Sequence, residues 1–246
     1  MPSIGLIGYP LEHSFSPQYF AQKFESLQLN DWQYHLFPIA SIHSLSDIIK
    51  GNPDLIGLNV TIPHKQSVIQ YCQHIDEDAF QIGAVNGLII QRNNKDTFQI
   101  KGINTDWMGF YLSLKNALPF SPQRALICGN GGASLAVQYA LNKLNIPFQI
   151  VSRNGTFTYQ DLNEERFQSF QLIINTTPVG TLNNSERILP LPYQVINADM
   201  FFYDLVYNPE VTPTMELFMK HGAQAKNGLE MLHLQADLFW QSLNSK

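Results

Sequence analysis

Residues 124–144, "RALICGNGGASLAVQYALNKL", constrain the fold more than any other stretch. They read as a short apolar strand, a glycine loop and a helix. Ala133, Ala136, Val137, Ala140, Leu141 and Leu144 recur every three or four residues and give the helix one apolar face. A strand that runs straight into such a helix needs neighbouring strands and a sheet face to cover, which is the repeating unit of a parallel α/β fold. Gly129, Gly131 and Gly132 permit a tight turn and close backbone approach to a pyrophosphate, and the helix N-terminus adds N–H donors and partial positive charge. The same glycines also suit a plain structural turn. The common glycine spacing is incomplete, because Ser134 stands where the third glycine falls.

The rest of the chain repeats the alternation. "IGLIG", "WQYHLFPI" and "LIGLNVTI" read as strands, with helical patterns at "PQYFAQKFESLQL", "SIHSLSDIIKG" and "PHKQSVIQYC", the last beginning at Pro63. "GAVNGLII" and "TFQIKGIN" read as paired strands around the polar turn "QRNNKD". A second unit begins near Thr105 with the helix "DWMGFYLSLKNAL" and continues through the glycine loop, "PFQIVSRN", "QLIINTTPVG" and "MFFYDLVYNP". After Gly228, "LEMLHLQADLFWQSL" is a long amphipathic helix. No linker separates the units, so the expectation is two packed units with the ligand site at their junction.

Composition sets bounds. The chain has 246 residues, 44% hydrophobic and 14% charged, enough for a sizeable core and too few charges for disorder. A net charge of -5 gives no basic footprint for nucleic acid. No apolar run approaches the roughly 18 residues that span a bilayer, and the start "MPSIGLIGYP" lacks a signal-peptide pattern. Cys72 and Cys128 have no metal-type or CxxC spacing. Two reduced thiols in a cytoplasmic protein are expected, with one disulfide as the alternative.

The end of the strand after the glycine loop reads the cofactor. NAD sites usually place Asp or Glu there to hold the ribose hydroxyls. This chain has Ser152-Arg153-Asn154, and Arg153 would attract the 2′-phosphate of NADP where a carboxylate would repel it. A solvated loop arginine is the plainer alternative.

The first unit carries several polar residues with two readings each. In "GYPLEHSFSP", Ser14 and Ser16 follow a strand, either as turn residues or for their hydroxyls. His13 has no assigned role beyond a local hydrogen bond. "LNVTIPHK" sets Asn59 and Thr61 on one strand face and Lys65 in the first turn of the next helix. There the helix field disfavours the ammonium and suits a proton acceptor, though a screened, solvated lysine is the bland reading. Asn104, Thr105 and Asp106 cap a helix, and a first-turn carboxylate can also serve a ligand. Asn86 reads as a turn asparagine. Gln235 lies beside the stripe Leu232, Ala236, Phe239 and Leu243, where a polar group must find either a protein or a ligand partner.

The ordered set "GYPLEHSFSP", "NVTIPHK", "GAVN", "NTD", "GNGGASLA", "NTTPVG", "DLVYNP" and "GLEMLHLQADLFW" resembles the shikimate dehydrogenase family along the full chain. The resemblance implies a two-domain α/β fold. A mostly parallel α/β substrate domain, residues 1–105 completed by helix 229–246, would accompany a Rossmann-type NADP-binding domain, residues 106–228. It implies reversible NADP-linked oxidation of shikimate to 3-dehydroshikimate in the route to chorismate and the aromatic amino acids. Lys65 and Asp106 would be the catalytic pair. Ser14, Ser16, Thr61 and Tyr207 would hold the substrate carboxylate, and Asn86 and Gln235 would bind ring hydroxyls, with Asn59 also at the substrate. Gly129, Gly131, Gly132 and Ala133 would line the pyrophosphate, Ser152 and Arg153 the 2′-phosphate, and Thr177, Leu205 and Gly228 the nicotinamide end. No metal is implied, no nucleic acid or membrane partner, and the chain would be a monomer or homodimer.

Departures from the family pattern are Ser152-Arg153-Asn154 in place of Asn-Arg-Thr, Leu205 in place of methionine, and a somewhat short chain. Two other readings compete: a quinate/shikimate dehydrogenase that prefers NAD, and a non-catalytic NADP sensor. Arg153 and the serine pair speak against the first, and the presence of both Lys65 and Asp106 against the second.

Overall fold

The computed structural model describes residues 1–12, 14–94, 97–182, 184 and 187–244, so His13 and part of the "QRNNKD" turn lie outside the described residues. Contacts divide the chain into two compact units, Met1–Thr105 with Gln235–Lys246, and Asp106–Leu234.

The first unit contains β1 (Ser3–Gly8), α1 (Ser16–Ser26), β2 (Gln33–Pro38), α2 (Leu45–Gly51), β3 (Leu55–Val60), β4 (His74–Ile75), α3 (Glu77–Ile82), β5 (Gly87–Arg92) and β6 (Phe98–Ile103). Its six strands lie in the order β2-β1-β3-β5-β6-β4. The β1 pairings with β2 and β3 are parallel, as is β4 with β6, while β3–β5 and β5–β6 are antiparallel. The hairpin expected from the sequence thus makes the sheet mixed. Successive strand residues face opposite sides. Ile7, Leu58, Val60 and Leu88 join α2 in one core, and Ile4 and Ile103 join α1 in another.

The helix expected from Pro63 does not form. Residues 62–63 and 65–66 make turns, and a short 3-10 helix follows at Ser67–Tyr71. The reason is a long-range hydrogen bond: the Lys65 carbonyl accepts from the Val85 N–H at 2.7 Å, so it is committed to a neighbouring segment. Lys65 therefore does not sit in a helix first turn, and the helix-field argument for its amine does not apply. The sequence reading also missed α3, although Asp76 caps it by accepting from the Ala79 N–H at 2.6 Å and Gly83 ends it in the left-handed conformation.

The second unit contains α4 (Asp106–Ala117), β7 (Ala125–Cys128), α5 (Gly132–Lys143), β8 (Phe148–Val151), α6 (Glu164–Gln168), β9 (Leu172–Asn175), β10 (Phe201–Asp204), α7 (Pro213–Lys220), β11 (Gln224–Lys226) and the start of α8 (Leu229–Asn244). All its strands are parallel, in the order β11-β10-β9-β7-β8. Alternate residues enter two cores: Leu126, Ile173 and Phe202 on one face, Ile127, Ile174 and Tyr203 on the other. A parallel sheet covered on both faces explains the continuous apolar runs of its strands. The strand order reverses at β7 and β9, and the glycine loop leaves the carboxyl end of β7, the position where open α/β sheets bind ligands.

The sequence expectation grouped all of helix 229–246 with the first unit, but the contact boundary falls inside α8, at Leu234/Gln235. Met231 packs in a second-unit core and Glu230 accepts from the Ser113 hydroxyl at 3.1 Å. From Gln235 onward, Ala236 and Phe239 are buried with Phe20 and Phe24 of α1. Two glycines make the room. A Cβ at Gly57 would meet Leu243 Cδ2 at 2.6 Å and Phe239 Cζ at 3.1 Å; one at Gly87 would meet Phe239 Cδ2 at 2.9 Å. Asp237 accepts from Tyr19 Oη and Lys23 Nζ, tying α8 to α1.

Phe239→Ala empties a fully buried site and is expected to cost about 3–5 kcal/mol, read from urea unfolding. A loss below about 1 kcal/mol would show that Phe239 does not hold this helix.

Candidate active site

The seating of α8 brings together residues far apart in sequence. Gln235 lies one helical turn before Phe239, and its Oε1 accepts from Asn86 Nδ2 at 3.4 Å. Asn86 Nδ2 also donates to Thr105 Oγ1 at 3.0 Å, and Asn86 Oδ1 accepts from the Thr105 N–H at 2.7 Å. All three side chains are buried, and Asn86 is fixed by its own backbone, with its carbonyl accepting from Val60 N–H at 2.7 Å. The cluster offers amide and hydroxyl groups without formal charge, suited to a polyhydroxylated ligand. It also fixes the residue directly before Asp106. Sequence reading named Thr105 only as a helix-junction residue.

A second polar group surrounds the start of α1. The Ser16 N–H donates to Ser14 Oγ at 3.3 Å. Ser16 also hydrogen-bonds the Tyr34 phenol, and Tyr34 Oη donates to Asn59 Oδ1 at 3.1 Å. Burial pushes the Tyr34 phenol up, so it stays protonated. Thr61 lies just past β3, and its methyl occupies the space a Cβ at Gly8 would take, only 2.3 Å away. That close packing explains the glycine at the end of β1. Beside it, buried His64 bonds the Ile39 carbonyl through Nε2 at 2.7 Å, fixing the residue before half-buried Lys65. Neither Tyr34 nor His64 was singled out from the sequence.

In the second unit the glycines divide by role. Gly129 has φ +109°, and a Cβ there would meet Thr176 Oγ1 at 2.7 Å, so the turn itself requires glycine. Gly131 has an extended backbone, φ −81°, and a Cβ on it would meet nothing within 4 Å. Among the described residues no contact accounts for glycine at 131, and the open space there leaves room for the close approach of a diphosphate. Gly131 is also the N-cap of α5 and gives no side-chain hydrogen bond to the first-turn N–H groups. Gly132 and Ala133 open that helix. Ser134 is fully buried, its hydroxyl accepting from Gln138 Nε2 at 3.1 Å, so a small serine serves the close helix–sheet packing expected of the third glycine. These features fit a dinucleotide.

Gly129 N–H donates to the Val151 carbonyl at 2.8 Å, which sets the end of β8 beside the glycine loop. Ser152, buried, and Arg153, exposed, follow directly, with no carboxylate in residues 152–157. Thr177 donates to Asn175 Oδ1 through its N–H at 3.0 Å and its hydroxyl at 2.7 Å. Asn175 Nδ2 donates to Asp204 Oδ1 at 2.8 Å, and Asp204 also accepts from Thr212 Oγ1 at 2.7 Å and Val206 N–H at 3.0 Å. Asn175 and Asp204 thus set the chain after β9 and β10, where Thr177 and Leu205 lie. The signal for them is a polar residue ending each apolar strand, "LIIN" and "FFYD". Gly228 has its own packing reason, since a Cβ would meet the Leu205 carbonyl oxygen at 2.3 Å. Tyr207, half-buried, follows β10, and buried Asp106 begins α4.

Burial raises the Asp204 carboxyl from its ordinary 3.8 to about 6, against the lowering by its hydrogen bonds. Burial likewise pushes the Cys72 thiol up to about 11 and the Cys128 thiol up to about 12, and both are free thiols. Among the described residues no group of three or more His, Cys, Asp or Glu is placed to hold a metal, and no helix is long and apolar enough to cross a membrane.

The parallel sheet, its switch-point glycine loop and the separate polar unit define a two-unit α/β protein of the dinucleotide-dependent dehydrogenase kind. The family profile for the shikimate dehydrogenase substrate binding domain matches residues 6–88. A shikimate dehydrogenase (NADP(+)) of Staphylococcus aureus strain MSSA476 is 35% identical over 243 residues, covering 94% of this chain and 88% of the relative. The crystal structure of shikimate dehydrogenase from Aquifex aeolicus superposes with a TM-score of 0.86 at 30% identity, over 99% of this chain and 92% of that one. Shikimate 5-dehydrogenase from Thermus thermophilus, solved with NADP(H) and shikimate, gives a TM-score of 0.84 at 27% identity, over 99% and 93%. The chain belongs to the shikimate dehydrogenase family.

The two loop glycines should respond differently to the same change. Gly129→Ala should lower unfolding stability by about 1–3 kcal/mol, whereas Gly131→Ala should unfold like the parent yet bind NADPH more weakly by titration. Equal behaviour of the two variants would contradict the division of roles. Because folded Asp204 holds its proton more tightly than the unfolded chain, it contributes stability below pH 3.8 that is lost as pH rises to about 6. Relative to Asp204→Asn, the parent should lose up to about 3 kcal/mol between pH 4 and pH 7 in urea unfolding. A pH-independent difference would contradict this.

Proposed function

We propose that this chain catalyses the reversible NADP-linked oxidation of shikimate to 3-dehydroshikimate, in the route to chorismate and the aromatic amino acids. Membership of the family supports the reaction. The observation that carries it within this chain is the hydrogen bond between Asn86 and Gln235, two residues 149 positions apart that meet in a buried polar cluster.

Lys65 exchanges the proton of the alcohol being oxidised, as general base in one direction and general acid in the other. Asp106 pairs with it in the reaction and holds the substrate hydroxyl. Ser14, Ser16, Thr61 and Tyr207 donate hydrogen bonds to the substrate carboxylate. Asn59, Asn86 and Gln235 orient the ring hydroxyls, which fixes the ring face presented for reaction. Gly129, Gly131, Gly132 and Ala133 hold the diphosphate, Ser152 and Arg153 the 2′-phosphate, and Thr177, Leu205 and Gly228 lie toward the nicotinamide. NADP, when bound, supplies the acceptor for the hydride that leaves the alcohol carbon. The enzyme works in the cytoplasm, as a monomer or homodimer.

Lys65→Ala should lower kcat by a factor of about 10² or more with far less change in shikimate KM. Near-parental turnover would refute the role of Lys65. Arg153→Ala should raise the KM for NADP about tenfold, the loss of one charge-assisted contact, and leave the KM for NAD unchanged. A parent that prefers NAD would overturn the cofactor assignment.

A further inference from the structure

Asn59 holds an unexplained group. It is only 6% exposed, and its Nδ2 is buried without a hydrogen-bond partner among the described residues. Its Oδ1 accepts from Tyr34 Oη at 3.1 Å. Tyr34 in turn hydrogen-bonds Ser16, and its ring is stacked on Phe20, with centroids 4.7 Å apart and planes at 11°. Asn59, Tyr34 and Ser16 therefore form one chain of hydrogen bonds whose middle member is clamped.

Such a chain has a direction. With Tyr34 donating to Asn59, the Ser16 proton is drawn toward Tyr34, leaving Ser16 an acceptor on its other side. An acceptor repels a carboxylate. Turning the Asn59 amide over exchanges two ends of nearly equal shape. Nδ2 then donates to Tyr34 Oη, Tyr34 donates to Ser16 Oγ, and the Ser16 proton is free to point at an anion. The orphaned donor gains a partner, and Asn59 Oδ1 takes its former place as an acceptor for a ligand hydroxyl. Bonds aligned in this way polarise one another. Ser14 does not need the relay, because its oxygen already accepts from the Ser16 N–H at 3.3 Å, leaving its proton to donate.

We propose that Tyr34 is a positioning residue that sets Ser16 as a donor to the ligand carboxylate. This rests on the shikimate reading of the site. It deepens that reading by naming a residue outside the ligand contacts that decides recognition of the acid group.

The test is steady-state kinetics of Tyr34→Phe, Ser16→Ala and the double variant, with shikimate and with methyl shikimate, whose ester carries no anion. Tyr34→Phe keeps the ring stack, and its unfolding midpoint verifies the fold. It should raise the shikimate KM about tenfold, the scale of one lost hydrogen bond to a charged group, while kcat and the KM for NADP stay near the parent values. The double variant should be no worse than Ser16→Ala alone, because both act on one contact. With the methyl ester, whose carbonyl oxygen accepts only a neutral hydrogen bond, the KM difference between parent and Tyr34→Phe should shrink to a fewfold at most. An unchanged shikimate KM in Tyr34→Phe, or additive effects in the double variant, would overturn the role of Tyr34 while the parent remains active. A parent without shikimate turnover would overturn the functional reading and this proposal with it.

Discussion

Phe239 can lie against the first unit's sheet only because residues 57 and 87 carry no side chain. Much else depends on that contact. It sets the height and rotation of α8, so that Gln235, one turn earlier, faces Asn86. Asn86 then holds Thr105 through both its backbone and its hydroxyl, immediately before Asp106. A packing constraint at two glycines is thereby converted into the placement of three uncharged polar groups. The tie from Asp237 to Tyr19 and Lys23 secures the same helix to α1. Hydrophobic burial supplies the holding force, and the amides supply the direction.

The second unit solves a different problem, that of holding loops at strand ends open to a ligand. Gly129 makes the turn and Gly131 leaves the room. Strands β9 and β10 end in Asn175 and Asp204, whose bonds to Thr177, Val206 and Thr212 hold the adjoining chain from below. A buried carboxylate costs stability when ionised, yet it accepts three hydrogen bonds at once, which no apolar residue could do. The wiring fixes backbone at the switch point at some expense of stability, a common compromise at functional sites.

The sequence made the large features legible where signals were local and repeated. The strand–loop–helix at the glycines, the antiparallel pairing of β5 with β6 and the amphipathic last helix all follow from periodicity and turn chemistry. Gln235 also announced itself, as a polar residue beside an apolar stripe, and Ser134 as a small residue in a glycine's place. What escaped was decided at long range. Nothing near Pro63 shows that Val85 will take the Lys65 carbonyl and stop a helix. Nothing in "WQYHLFPI" shows that the Tyr34 phenol will bond both Ser16 and Asn59. Asn175 and Asp204 acquire their meaning only when β9 and β10 lie side by side with Asn175 opposite Asp204. The grouping of Ser14, Ser16, Lys65 and Asp106 came from the family resemblance, since each alone has an ordinary structural reading.

The central claim is that this chain oxidises shikimate with NADP as hydride acceptor. Its most direct test is the initial rate at which the purified chain forms NADPH from NADP and shikimate. The account predicts a rate that saturates with both substrates and requires shikimate. Binding of NADPH with no shikimate-dependent turnover would contradict it and leave a dinucleotide-binding protein without this chemistry.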